Sequence, residues 1–294
     1  MKISTTTGYA ASLYGNEEAV RVLAQAGFDC LDFSEVMGYG EEVSFMAPLD
    51  EILPHYQAIK KAADAAGISF GQMHAPFPSF VNVPARDELI YQAVEKSLWI
   101  CEALSCPYIV VHPAMYKECR YDAMLPEARA LNLAFYSRLL PTLLQTHVKI
   151  AIENMFGWDP EQKRSCPTCV STAAQMIELI DALNEIAGET RFVACLDIGH
   201  ALITGDSAPD MIHELGDRLQ LLHVQDNDGI RDSHNVPFTG VTSWTDVMQA
   251  LRDIHYPGTF SFEAETFMRA FGPRLFKDSV RFQYLLGKDI TDNQ

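Results

Sequence analysis

Short apolar runs rich in β-branched residues alternate with longer amphipathic stretches from one end of the chain to the other. The runs fall at 2–6, 30–34, 69–75, 108–114, 149–155, 192–200, 220–227 and 258–265, and each predicts a strand. Helices are predicted near 16–26, 50–66, 86–105, 126–146, 171–187, 208–218, 243–255 and 272–287. In the second of these, Ile52, Leu53, Tyr56, Ile59 and Ala63 recur at helical spacing, with lysines on the other face. Gly27 and Gly67 stand just past helix ends, Ser171 and Ser243 are predicted N-caps, and Asn16 precedes the acidic pair Glu17 and Glu18 at a helix start. Strands that are apolar on both faces imply a parallel sheet. Eight strand–helix units over 294 residues predict a (β/α)8 TIM barrel, an α/β fold, as one domain spanning 1–294. An open doubly wound sheet is the alternative. No GxGxxG follows the first strand, which weakens a dinucleotide-binding version of it.

In such a barrel, function sits at the C-terminal ends of the strands and in the loops that follow them. The long connections are 156–170, 228–242 and 35–49. Trp158 in the first is expected to cover a ligand. Met37, Tyr39, Phe45 and Met46 in the last are expected to form a lid, the alternative being that they pack on the barrel rim.

Four strand segments end in a metal-competent residue: Lys149-Ile-Ala-Ile-Glu153, Val193-Ala-Cys-Leu-Asp197, Leu221-Leu-His223 and Thr259-Phe-Ser-Phe-Glu263. One buried carboxylate has ordinary explanations, such as a loop N–H or an arginine. Four such residues on consecutive strands do not, because unpaired buried acids are costly. Three carboxylates and one imidazole make a hard, oxygen-rich set suited to a divalent cation. Further candidates occupy equivalent positions: His74 after the third strand, His112 after the fourth, His200 three residues past Asp197, and Asp232 and His234 after the seventh. The other histidines, His55, His147, His213 and His255, fall in or beside predicted helices.

Composition narrows the partners. With 22 basic and 39 acidic residues the formal net charge is −17, which disfavours nucleic acid or an anionic membrane surface. The N-terminus lacks an apolar leader core, and no segment approaches the ~20 apolar residues of a membrane span. Seven scattered cysteines fit reduced thiols in a cytoplasmic protein better than a disulfide framework. Cys166-Pro-Thr-Cys169 is a lone CxxC and is expected to be incidental to function.

The motifs His74-Ala-Pro, Val-Val-His112-Pro, Ile-Glu153-Asn, Asp197-Ile-Gly-His200, His223-Val-Gln-Asp-Asn-Asp, Asp232-Ser-His234 and Tyr256-Pro-Gly-Thr-Phe-Ser-Phe-Glu263 resemble the xylose-isomerase-like TIM-barrel superfamily over roughly residues 1–288. That group includes sugar-phosphate isomerases and epimerases, inosose-processing enzymes and the endonuclease IV type of apurinic-site nuclease. In the isomerase and epimerase branch, the resemblance implies one divalent metal ion, often manganese, held by Glu153, Asp197, His223 and Glu263; magnesium, cobalt and zinc are the other options. It implies that Glu153 and Glu263 also act as the catalytic acid and base on opposite faces of a sugar. A metal that chelates a carbonyl and the neighbouring hydroxyl acidifies the C–H between them, and a carboxylate then removes that proton through an enediolate. His74, His112, His200, Asp232 and His234 are the expected substrate contacts.

The implied activity is therefore a metal-dependent sugar isomerase or epimerase. Its partner is a small-molecule carbohydrate, and a homo-oligomer is the assembly considered. The ketose 3-epimerase branch carries an arginine six residues after the metal histidine. Gly229 stands there and Arg231 follows two later, which counts against a free-ketose 3-epimerase. Arg231 and Arg269 are the only cations of the last two strand–helix loops, either one a candidate for anion binding or an ordinary surface arginine. A lyase or dehydratase on a keto-sugar, keto-inositol or 3-keto-glycoside would use the same base and metal. An apurinic-site nuclease would place three zinc ions on His74, His112, Glu153, Asp197, His200, His223, Asp232, His234 and Glu263. Pro113-Ala-Met-Tyr and Met155-Phe-Gly-Trp depart from that branch. A non-catalytic sugar-binding barrel is the remaining alternative.

Overall fold

The structure, a computed structural model, describes residues 1–34, 47–115 and 125–293. The described residues include eight parallel strands: β1 (Lys2–Thr5), β2 (Cys30–Phe33), β3 (Ser69–His74), β4 (Tyr108–Val111), β5 (Lys149–Glu153), β8 (Phe192–Asp197), β9 (Leu219–His223) and β10 (Thr259–Phe262). β6 (Phe156–Asp159) and β7 (Arg164–Pro167) form a separate antiparallel hairpin. The main sheet runs β2-β3-β4-β5-β8-β9, and β1 pairs with β10. Two single bridges close the ring, Thr6 with Asp32 and Val224 with Phe262. Backbone hydrogen bonds from Thr7 N to Asp32 O (2.9 Å) and from Val224 N to Ser261 O (2.8 Å) make these joins. The fold is thus the expected TIM barrel, and the open sheet is excluded.

Period-two alternation divides each strand between two environments. Ile3, Phe33, Ile150, Ile152, Leu196, Leu222, Phe260 and Phe262 belong to the large core under the helices. The inward side is unequal. Val110, Ala151, Val193, Cys195 and Leu221, on β4, β5, β8 and β9, form a small separate apolar cluster. The residues alternating with the outward set on β1, β2, β3 and β10 are polar and fully buried: Ser4, Asp32, Gln72 and Ser261.

Helices α1 (Gly8–Tyr14), α2 (Asn16–Ala26), α3 (Leu49–Ala66), α4 (Pro84–Ala103), α5 (Leu125–Leu143), α6 (Ala173–Ala187), α7 (Ile198–Thr204), α8 (Ala208–Leu215), α9 (Trp244–Asp253), α10 (Glu265–Phe271) and α11 (Phe276–Asn293) accompany the strands. Gly27 and Gly67 end α2 and α3 in the left-handed conformation, as expected. Thr172, not Ser171, caps α6, in a reciprocal box with Gln175. Ser171 Oγ is instead committed to the Met155 carbonyl at 2.5 Å. The Ser243 hydroxyl makes no cap bond and donates to Asp246 at 2.6 Å.

Three short helices, α1, α7 and α10, were not signalled by periodicity. The run at 192–200 breaks after Asp197, whose carboxylate accepts from His200 N and starts α7. The connection 156–170 is a hairpin rather than a plain loop. Cys166 lies on it, and none of the described cysteines forms a disulfide. The lid residues Met37, Tyr39, Phe45 and Met46, and Cys119, lie outside the described residues.

Buried Asp226 anchors the loop 228–242. Its carboxylate accepts from the backbone N–H groups of Asn227, Gly240 and Thr242 and from the indole of Trp244, at 3.0–3.2 Å. Replacing it with alanine strands several buried donors, each costing about 1–3 kcal/mol. Asp226→Ala is expected to lose about 3 kcal/mol or more in urea unfolding; a loss under ~1 kcal/mol would contradict this anchoring.

Candidate metal centre

Glu153, Asp197 and His223 are the last residues of β5, β8 and β9, and Glu263 directly follows β10. Their outward neighbours, Ile152, Leu196, Leu222 and Phe262, are buried in the main core, so the alternation turns all four inward at one level. Each offers a ligand atom within 4.8 Å of the others. Nδ1 of His223 lies 3.1 Å from both Glu153 Oε1 and Glu263 Oε2. Two anionic oxygens converging on one ring nitrogen is more than a single N–H satisfies. Asp197 Oδ2 is buried with no hydrogen-bond partner. Oε2 of Glu153 has only imidazole nitrogens near it, His112 at 3.1 Å and His74 at 3.7 Å. Three crowded carboxylates, one imidazole and an orphaned carboxylate oxygen fit a hard divalent cation.

Neighbouring groups hold these side chains in place. Asn154 clamps the end of β8, its Nδ2 donating to Asp197 O (3.0 Å) and its Oδ1 accepting from Asp197 N (2.7 Å). Gly199 allows α7 to approach the segment that follows β9, since a Cβ there would lie 2.3 Å from the Gln225 side chain. Gln225 in turn donates to Asp232, whose other oxygen is 2.9 Å from His234 Nε2 and 3.6 Å from His200 Nε2. His74 and His112 meet through Nε2 atoms 3.0 Å apart. All five expected contact residues therefore surround the four-residue cluster. They form two further groups of metal-competent side chains: His74 and His112 with Glu153, and His200 with Asp232 and His234.

The electrostatics follow from burial and crowding. For Glu263, burial works upward, but His223 and His234 outweigh it and hold the carboxyl down to about 2. Asp197 goes the other way: burial, aided by the charges of Glu263, Glu153 and Asp232, pushes it up to about 7 against the pull of His200. His200 and His234 are raised to about 10, because Asp197 and Asp232 overcome the burial that would keep them neutral. Glu153 is held well below the carboxylate range by His223 and His112 despite its burial. Burial lowers His112, whereas Glu153 raises His74 in spite of it.

A cavity of ≈ 380 Å³ opens onto this cluster. Glu153, His200, Asp232, His234 and Glu263 line one side, and Phe77, Phe80, Pro113, Met115, Met155 and Phe156 line the other. Phe77 stacks on His112 at 5.0 Å, and Phe156 meets His200 edge-on at 4.8 Å. Phe156, not Trp158, is the hairpin residue facing the cavity; Trp158 is 56% exposed. Among the described residues no lysine or arginine lines it. Arg269 is engaged with Glu265 at 2.7 Å. Sequence patterning missed Asp32, Gln72 and the apolar wall. An acid at an inward position of the short run Cys30-Leu-Asp-Phe was the available signal for Asp32.

The family model described as xylose isomerase-like TIM barrel matches residues 20–285. The chain belongs to that family. An uncharacterised protein of Methanocaldococcus jannaschii is 25% identical over 197 residues, 65% of this chain and 63% of the relative, so under two-thirds of that protein's length is matched. Fructoselysine 3-epimerase of Escherichia coli O157:H7 is 31% identical over 101 residues, 34% of this chain and 36% of the epimerase. Among solved structures, a D-tagatose 3-epimerase-like protein superposes with a TM-score of 0.74 at 17% identity, covering 99% of both chains. The 3-keto-D-glucoside 4-epimerase of E. coli gives 0.72 at 17%, covering 97% and 99%. The IOLI protein with a bound zinc atom gives 0.70 at 16%, covering 99% and 98%. At these identities the structural likeness establishes the barrel.

Proposed function

We propose that this xylose isomerase-like barrel is a divalent-metal-dependent isomerase or epimerase of a sugar or keto-sugar. The observation that carries it is the convergence of Glu153 and Glu263 on Nδ1 of His223, at 3.1 Å each, beside one cavity. Glu153, Asp197, His223 and Glu263 would hold the ion, with manganese the expected metal. A bound divalent cation supplies Lewis acidity at a carbonyl and its neighbouring hydroxyl. One glutamate takes the carbon-bound proton, leaving an enediolate, and the other returns a proton to the opposite face or the adjacent carbon. His74, His112, His200, Asp232 and His234 present donors and acceptors to sugar hydroxyls, while Phe77 and Phe156 offer ring faces to its C–H surface. The sugar epimerases among the relatives support the reaction class. The lack of a lysine or arginine among the described lining residues favours an uncharged sugar over a phosphate ester.

A panel of keto-sugars and 3-keto-glycosides incubated with the protein and manganese in heavy water tests the mechanism. Each productive substrate is expected to gain one deuterium at the carbon next to its carbonyl. Product formation with no exchange would speak against an enolising base, and loss of a β-substituent would assign the lyase variant.

One observation favours a second reading. The nine residues form three adjoining groups, each able to hold an ion, as a three-zinc apurinic-site nuclease would require. The net charge of −17 and the carboxylates of the cavity lining, Glu153, Asp232 and Glu263, oppose binding of a phosphate backbone. Cleavage of apurinic DNA that is lost in His74→Ala would establish the nuclease instead.

A further inference from the structure

The imidazole of His223 is turned the opposite way to its neighbours. His74, His200 and His234 each give Nδ1–H to a backbone carbonyl, those of Ala75, Asn154 and Glu263, at 2.7–2.9 Å. A carbonyl only accepts, so the proton on Nδ1 is settled and Nε2 faces the cavity side. His223 instead aims Nδ1 at Glu153 and Glu263 and places Nε2 3.4 Å from Oδ2 of Asp32. Asp32 is 1% exposed and sits on β2, outside the four strands that supply the ligand set. Its Oδ2 accepts from Gln72 Nε2 at 2.8 Å, and its Oδ1 has no hydrogen-bond partner. A carboxylate buried with one amide for company is costly unless a further donor faces it. The ring of His223 faces it at 3.4 Å, its own Nε2 buried and likewise without a hydrogen-bond partner.

We propose that Asp32 is a positioning residue for metal capture: it retains the Nε2 proton of His223, so that Nδ1 is the nitrogen offered to a divalent cation. Gln72 fixes the Asp32 carboxylate for that task. The inference rests on the metal centre proposed above. Without Asp32, the single proton of a neutral ring is drawn to Nδ1, where two carboxylate oxygens wait at 3.1 Å. The donor atom is then blocked by a hydrogen bond to the very groups that should share the ion. With Asp32 in place, a proton on Nε2 faces a carboxylate oxygen at 3.4 Å, which favours keeping it there and makes the opposite nitrogen a stronger donor.

The test is titration calorimetry of Mn²⁺ into the chelator-stripped full chain, for the wild type, Asp32→Ala and Asp32→Asn. The alanine variant is expected to bind about 10–100-fold more weakly, as for other carboxylates behind metal histidines. The asparagine variant keeps an oxygen acceptor and is expected to recover most of that loss, which a merely structural role would not produce. Long-range proton–nitrogen NMR spectra of the zinc-loaded wild type need no variant. They are expected to show His223 carrying its proton on Nε2 and the metal on Nδ1. Metal held on Nε2, or a folded Asp32→Ala protein with wild-type affinity, would overturn the role of Asp32 alone. A wild type that binds no divalent ion would overturn the metal centre and this role together.

Discussion

Glu153→Gln is expected to reduce turnover by at least about 10²–10⁴-fold, the contribution of a positioned proton-transfer group, and to weaken metal binding as well. Glutamine keeps the size and packing of the side chain but can neither take a proton from carbon nor bring a full charge to the cation. Glu263→Gln should match it, and the double variant should be scarcely worse than either single one, because the two act as one unit. Glu265→Gln is the control. Its carboxylate also lies near the end of β10, but it accepts from Thr6 Oγ1 and Tyr9 N at 3.1 Å and pairs with Arg269. That variant is expected to keep its turnover. Steady-state assays on the substrate identified by exchange, with the fold checked by circular dichroism, decide the matter. Retention of more than about a tenth of wild-type activity in Glu153→Gln would rule out Glu153 as the essential base.

The barrel and most of the candidate site were legible in the sequence for one reason. Strand tips concentrate function, and the end of an apolar β-branched run is easy to find. Glu153, Asp197 and His223 close such runs and Glu263 directly follows one, so their meeting required only that the strands be parallel and the ring closed. What escaped notice was local or non-periodic. α7 is seven residues long, too short for a helical period to register, and its first residue continues the apolar run of β8. The hairpin of β6 and β7 has four-residue strands with mixed burial, so no alternation marks it. Phe77, Phe80 and Met155 reach the cavity from loops, where neighbours in sequence say nothing about direction, and Phe156 from the first position of the hairpin. Asp32 was invisible for a different reason. Its meaning depends on a histidine seven strands later that only barrel closure brings to 3.4 Å.

Removing metal should make the protein's stability fall with rising pH, and restoring it should reverse the trend. In the metal-free protein His200 and His234 are raised from 6.5 to about 10. Their contribution is fully present below about pH 6.5 and is lost as pH rises through about 10. Asp197 is raised from 3.8 to about 7, so its burial becomes a cost as pH climbs across that interval and remains one above it. Glu263, held to about 2, stabilises above its ordinary 4.5 and changes only in acid, so it offers no compensating gain at neutral pH. A cation inverts this balance. It needs ionised carboxylates and a free Nδ1 on His223, so it releases protons and binds more tightly as pH rises. At a free concentration ~1,000 times Kd, binding adds about 4 kcal/mol, on the order of 10 °C in Tm for a chain of this size. Scanning calorimetry should therefore show the gap between manganese-loaded and chelated protein widening from pH 6 to pH 8. A gap that stayed constant or closed would mean that Asp197, His223 and the two glutamates do not share an ion.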